Sequence, residues 1–290
     1  MKDISVKALA KINLGLDVLR RREDGYHEVR MVMQTIHLFD RLEIRRNYSG
    51  RITIETNLSF LPTNENNLVY KAAKLLMDEF QIKDGIDVKL QKHIPVAAGM
   101  AGGSTDAAAV LYGLNRIFEL GLSKEGLMQR GVKIGADVPY CVMRGTALAE
   151  GIGEKLSPLS PMVKCPVLIA KPQINVSTRF VYENLKLNER TVHPDIDRLV
   201  ADIEAKDLKK IAADMGNVLE TVTIPNYPII LEIKEKMLEH GALNAMMSGS
   251  GPTVFGLFDD EDTAASAYEA MRESGLSKQV YLTSIYNNAR

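Results

Sequence analysis

The sequence predicts a chain of two domains that mixes helices with strands, and three observations carry the expectation. With 290 residues, it exceeds the ~100 to 200 residues of a typical domain. Residues 1–60 alternate apolar and polar side chains in the manner of strands. Beyond them, helical stripes and strand-like runs take turns to the C-terminus, with no internal repeat or low-complexity tract.

Every even position from Ile4 through Val6, Ala8, Ala10, Ile12, Leu14 and Leu16 to Val18 is apolar, which is the period of a strand with one buried face. The odd face then presents Lys7, Lys11, Asn13 and Asp17. Two further alternating stretches, VRMVMQTIHLFDRLEIRR and RITIET, follow turn signals at REDGYH and NYSG, so this region reads as antiparallel β-structure. In NENNLVYKAAKLLMDEF, Leu68, Ala72, Leu75, Leu76 and Phe80 make a helical stripe, with Asn66 or Asn67 as its cap. A strand, IDVKLQKHI, leads to a glycine-rich loop, and helices follow over DAAAVLYGLNRIFEL and SKEGLMQRGVKIG.

A break around SPLSPMVKCP divides the chain into domains 1–160 and 161–290, the second opening on the strand PVLIAKP. Helices are expected near STRFVYENL, HPDIDRLVADIEA and NYPIILEIKEKMLEHG, then a strand-loop-strand ALNAMMSGSGPTVFGLF, a helix EDTAASAYEAMRES and a last strand QVYLTSI.

Charge narrows the function. With 36 basic against 37 acidic residues, nothing pulls the whole molecule toward nucleic acid or a membrane surface, and any anion must be held locally. Cys141 and Cys165 are too few for a disulfide framework, and no Cys/His cluster has metal-ligand spacing, so no metal ligand is assigned. MKDISVKALA has a charge where a signal peptide would place its apolar core, and no apolar run nears the ~20 residues of a membrane span. The expected location is the cytoplasm. No sustained heptad pattern speaks to oligomeric state.

The loop PVAAGMAGGSTD strips itself of side chains just before a helix. A helix start leaves about four N–H groups without intrahelical partners and carries partial positive charge. Glycine and alanine let an anion approach that backbone, so the loop reads as a phosphate cradle, or else as a flexible turn before a tightly packed helix. Ser104, Thr105 and Asp106 suit a cap or first turn. Without the lysine of GK[ST] the loop is no Walker A motif, and it is not GxGxxG either. A second loop, SGSGPTVFG, reads as a turn or a site. Lys11 and Asn13 project side by side from one strand face, either solvated or functional; Asp137 in GADVPY is a turn former, a cap or a functional acid. Tyr26 and His27 share a hairpin end. Lys92 and Lys171 read as solvated surface lysines rather than phosphate partners.

Taken in order, AKINLGLDVLRRREDGYHE, PVAAGMAGGSTDAA, GADVPY and MSGSGPTVFG resemble the GHMP kinase superfamily over essentially the whole chain. The two glycine loops identify the superfamily. AKINLGL, the DGYH turn and GADVPY point to its branch acting on a cytidine diphosphate sugar-alcohol derivative in non-mevalonate isoprenoid synthesis. The resemblance implies an α+β fold with an N-terminal ribosomal-protein-S5-like domain for ATP and catalysis, and a C-terminal ferredoxin-like domain on the substrate side. It implies ATP as co-substrate with Mg²⁺, bound along Pro95, Val96, Ala97, Ala98, Gly99, Met100, Ala101, Gly102, Gly103, Ser104 and Thr105, with Asn67 nearby. It makes Asp137 the base for the acceptor hydroxyl and Lys11 the residue that orients it. Asn13 and His27 would hold the substrate, Tyr26 would stack on its cytosine, and Thr178 and Tyr182 would close the cytidine pocket. The chain departs from the family's pattern in having Thr105 where a second serine is common, and in the alanines at 97, 98 and 101. Other readings are a GHMP kinase for homoserine, mevalonate or a sugar, and a nucleotide-binding relative without catalysis.

Overall fold

The computed structural model describes residues 2–189 and 191–288. The chain forms two compact units, neither of them a continuous stretch. The first comprises Met1–Ala10, Leu38–Val96 and Ala101–Met143; the second comprises Lys11–His37, Ala97–Met100 and Arg144–Arg290. Two long strands, β1 (Asp3–Arg21) and β2 (His27–Asn47), contribute residues to both.

In the first unit, β1 and β2 are joined by β3 (Ile52–Thr56), α1 (Leu68–Glu79), β4 (Gly85–Gln91), α2 (Gly102–Ile117), α3 (Lys124–Val132) and α4 (Val138–Met143). The strands lie in the order β3-β4-β2-β1, with β4 parallel to β3 and antiparallel to β2. Alternation works as expected here: Leu42, Ile44, Ile86, Val88 and Leu90 are buried, while Arg41, Glu43 and Arg45 face outward. α2 covers the buried face so closely that a Cβ on Gly113 would lie 2.5 Å from Ile44 Cδ1.

The second unit adds β5 (Thr146–Gly151), β6 (Lys155–Pro158), β7 (Pro166–Lys171), α5 (Thr178–Asn184), α6 (Ile196–Ala205), α7 (Leu208–Ala213), β8 (Gly216–Asn217), α8 (Glu220–Asn226), α9 (Ile229–Glu239), β9 (Asn244–Met247), β10 (Val254–Leu257), α10 (Glu261–Glu273) and β11 (Gln279–Ser284). β5 pairs with β2 and folds back on β6, and β8 pairs with β1 in parallel. A separate antiparallel sheet runs β11-β7-β10-β9, with α9 packed on β9 and β10 and α10 on β7 and β11.

Several expectations change. The odd face of β1 is solvated only at its start, where Lys7 is exposed; further along, Lys11, Asn13 and Asp17 are all at most 5% exposed. Its cover is visible at Gly15, where a Cβ would meet Leu199 Cδ2 and Ile196 Cδ1 of α6 at 2.7 and 2.8 Å. Asn67 rather than Asn66 caps α1, accepting from Val69 N at 2.9 Å. α2 starts at Gly102, four residues ahead of the expected Asp106, so Ser104 and Thr105 lie within its first turn and do not cap it. GADVPY opens a short helix, α4, whose Pro139 falls in the first turn where its missing N–H is harmless. The hairpin β5–β6, α7, β8 and α8 were not foreseen. No described helix is long and apolar enough to cross a membrane.

Candidate active site

Along the glycine-rich loop, every second residue is left-handed: Ala97 at φ 51°, Gly99 at 70° and Ala101 at 56°. Alternation of this kind turns successive N–H groups toward one side and makes an anion-binding concavity. Two of the three are alanines, each held in a conformation that costs an L-residue about 1–2 kcal/mol, and such strain persists where a site requires it. Ala101 is also the N-cap of α2 and supplies no side-chain bond, which leaves the first-turn N–H groups for a ligand. Pro95 and Val96 lead into this turn.

The first unit brings Asn67 close to this helix start and carries Asp137 at the start of α4. A Cβ on Gly103 would sit 3.4 Å from Leu68 Cδ1, so Asn67, whose amide also donates to Pro62 O at 2.7 Å, stands beside the loop. Asp137 immediately precedes α4, and its carbonyl accepts from Cys141 N at 3.0 Å. Its half-buried carboxylate has no hydrogen bond or ion pair among the described residues.

The second unit gathers a polar cluster on β1. Lys11 Nζ donates to Asn13 Oδ1 at 2.6 Å, and Lys11 N to Met100 O at 3.3 Å. Asn13 is fully buried, its amide 3.5 Å from Met31 Sδ. The SGSG loop closes on the same place: Ser248 Oγ donates to Gly99 O at 3.0 Å, and a Cβ on Gly249 would lie 3.6 Å from Asn13 Oδ1. Thr178 reaches this loop through a 2.8 Å contact between its hydroxyl and that of Ser250. His27 and Tyr182 meet with ring centroids 5.0 Å apart, and burial, with Arg21 nearby, holds the His27 pKa below its ordinary 6.5. Tyr26 stands 61% exposed at the hairpin, with no ring partner among the described residues.

Some functional groups escaped the sequence reading. Asn217 Nδ2 donates to Met247 O at 2.9 Å and Gly249 O at 2.8 Å, shaping the SGSG loop from a two-residue strand that carries no local signal. The solvated reading of Lys92 and Lys171 is overturned, since each is 8% exposed. Lys171 Nζ bonds the carbonyls of Pro172 and Ile174, and burial lowers its pKa.

The model of the GHMP kinases N terminal domain matches residues 67–145, and that of the GHMP kinases C terminal matches 199–276. A 4-diphosphocytidyl-2-C-methyl-D-erythritol kinase of Lachnospira eligens is 58% identical over 286 residues, covering 99% of each chain. The chain belongs to the 4-diphosphocytidyl-2-C-methyl-D-erythritol kinase family of GHMP kinases. A crystal structure of a kinase of this name superposes with a TM-score of 0.85 at 30% identity, covering 98% of this chain and 100% of that one. A homoserine kinase from Cytophaga hutchinsonii, 20% identical, shares the fold at a TM-score of 0.82 over 99% of this chain and 96% of its own. The α+β GHMP architecture is therefore established, and the chain is a small-molecule kinase.

Proposed function

We propose that the chain transfers the γ-phosphoryl group of ATP to the 2-hydroxyl of 4-diphosphocytidyl-2-C-methyl-D-erythritol, giving the 2-phosphate and ADP, in the cytoplasm, as a step of isoprenoid precursor synthesis. The observation that carries this reading is the end-to-end 58% identity to a kinase of that name. Phosphoryl transfer asks little covalent chemistry of a protein: the acceptor oxygen must lie in line, and the charge on the moving group must be met. The N–H groups of Ala97 to Thr105 supply fixed dipoles for the ATP phosphates, and Mg²⁺ arrives as part of the nucleotide. Asn67 steadies the nucleotide side of the loop.

Lys11, its ammonium fixed 2.6 Å from Asn13 Oδ1, orients the hydroxyl and offsets the charge that develops on it. Asp137 takes the hydroxyl proton as the oxygen bonds to the γ-phosphorus and the bond to ADP breaks. His27, kept neutral by its lowered pKa, offers one ring N–H and one lone pair to the cytosine edge. Tyr26 stacks on the ring, and Thr178 and Tyr182 close the pocket. Residues 1–160 would carry the nucleotide, the chemistry and the substrate contacts Asn13, Tyr26 and His27, and residues 161–290 would complete the substrate side with Thr178 and Tyr182. The test is ADP release with Mg-ATP and four acceptors: diphosphocytidyl-methylerythritol, mevalonate, homoserine and galactose. Turnover on the cytidine compound alone is expected; turnover on another acceptor without it overturns the assignment.

A further inference from the structure

The first unit buries three charged side chains together: Lys92, Asp40 and Asp106, whose side chains are at most 4% exposed. Lys92 Nζ donates to Asp106 Oδ2 at 2.6 Å and also to Asp40 Oδ2. Asp40 Oδ1 in turn accepts from His93 N at 2.5 Å and Ile94 N at 2.8 Å, which fixes the chain as it enters the glycine-rich loop. Asp106 lies in α2, where the chain has just left that loop. The Asn57 side chain brackets the backbone of Lys92, accepting from its N at 2.8 Å and donating to its O at 3.1 Å. The first residue of α2 rests directly on this assembly: a Cβ on Gly102 would be 3.2 Å from Ile94 Cγ2 and 3.3 Å from Lys92 Nζ.

We propose that Lys92, Asp40 and Asp106 form a clamp joining the two ends of the glycine-rich loop, and that Lys92 and Asp106 are positioning residues for the phosphates of ATP. The inference rests on the kinase reading above. A flexible loop of N–H groups binds an anion weakly, because its ordering must be met at the moment of binding; tying its stem beforehand lowers that cost. Charge balance points the same way. Two carboxylates against one ammonium would leave a net negative charge beneath a loop that receives a triphosphate. Burial, the largest influence on Asp106, raises its pKa well above the carboxylate range, and its Oδ1 has no partner among the described residues. Burial lowers the pKa of Lys92, but the neighbouring carboxylates of Asp106 and Asp40 more than reverse this, so the ammonium persists. The cluster is neutral with a proton on Asp106, and an amide at that position can serve in its place.

The experiment uses the full chain with Mg-ATP. Binding is followed by calorimetry, KM for each substrate by ADP release, and folding by thermal unfolding. Asp106→Ala keeps the Lys92–Asp40 pair, and it should weaken Mg-ATP about tenfold or more, with KM for the acceptor within about twofold. Asp106→Asn should recover most of that loss. As a second variant, Lys92→Met combined with Asp40→Asn and Asp106→Asn leaves no buried ion unpaired, and it should show the same split should the alanine variant not fold. Equal losses of affinity for both substrates, unchanged Mg-ATP binding, or an asparagine variant as poor as the alanine variant would overturn the clamp. A wild-type chain that binds no Mg-ATP would overturn the kinase reading first and the clamp with it.

Discussion

The loop 95–105 and the loop 248–251 are both built of glycine and small residues, yet their backbone groups go to different places. In the first, alternate left-handed residues and an uncapped helix start leave N–H groups without internal partners. In the second, part of the backbone is committed inside the protein: Ser248 N donates to Thr253 O at 2.9 Å, Gly251 N to Ser248 O at 3.0 Å, and the Met247 and Gly249 carbonyls accept from Asn217, while Gly249 N and Ser250 N have no hydrogen-bond partner among the described residues. Glycine in the first loop lets other segments approach at Gly99 and Gly102 and, on the proposed reading, a ligand as well; in the second it lets another segment approach. The two meet at Gly99, where φ is +70° and a Cβ would overlap Ser248 O. Glycine content alone therefore does not mark a ligand loop. The backbone conformation and the partner of each N–H group are needed as well.

Variants that remove chemistry without touching either loop set the upper scale for testing this contrast. Asp137→Asn and Lys11→Ala should each lower kcat by about 10²- to 10⁴-fold, with the fold retained in thermal unfolding; near-normal turnover in either would sink its role. Gly99→Ala comes next, since it strains the backbone and forces the loops apart. It should cost roughly 3 kcal/mol in denaturant unfolding, and wild-type stability would break the contact between the loops. Gly103→Ala separates the two uses of glycine. Its Cβ meets the Leu68 side chain, at 3.4 Å from Cδ1 and 4.0 Å from Cγ, and alanine favours a helix by about 1 kcal/mol, so stability should hold or rise. KM for ATP should nonetheless increase about tenfold, and an unchanged KM would remove the ligand from this part of the loop. Ser248→Ala should lose about 1 kcal/mol of stability through its bond to Gly99 O, with KM for ATP unmoved.

The smallest effect lies outside both loops. The His27 pKa is below 6.5 in the folded protein, so between the folded and unfolded values the folded state binds fewer protons. Stability from this residue is intact above pH 6.5 and declines as pH falls through it, until the folded value is passed. KM for the cytidine substrate should rise over the same acidic range and level off in His27→Gln; a flat wild-type profile would remove the neutral imidazole from substrate binding.

How much of this was legible depends on which physical signal each element left. The apolar period of β1 located the strand, but period cannot tell a solvated polar face from a covered one, and α6 covers it at Gly15. β5 was missed because TALAEG is short, and after Thr146 it carries no β-branched or aromatic side chain and two alanines, a glutamate and a glycine that propensity counts against a strand. α2 begins on two glycines that propensity counts against a helix; the close approach of Gly102 to Lys92 and Ile94 explains them. The glycine-rich loop and the side-by-side placing of Lys11 and Asn13 were legible from residue type and spacing, which left a turn and a solvated pair open as well; the roles proposed for them come from the family resemblance. The buried cluster did leave a trace. Asp40 is in phase with Leu42 and Ile44, and Lys92 with Val88 and Leu90, so each charge stands on the apolar face of its strand.

That phase has a consequence for how the sheet assembles. The pairing of β2 with β4 ends by setting Arg41 against Gln91, and the next residues along, Asp40 and Lys92, meet through their side chains. A slip by one residue would turn that strand's apolar side chains outward and bring Arg41, Glu43 and Arg45, if β2 moved, against α2. It would also leave the opposing charge buried without its partner, a penalty of several kcal/mol. Only one alignment neutralises the pair, so the residues beneath the glycine-rich loop also act as a register key for the strands while the chain folds.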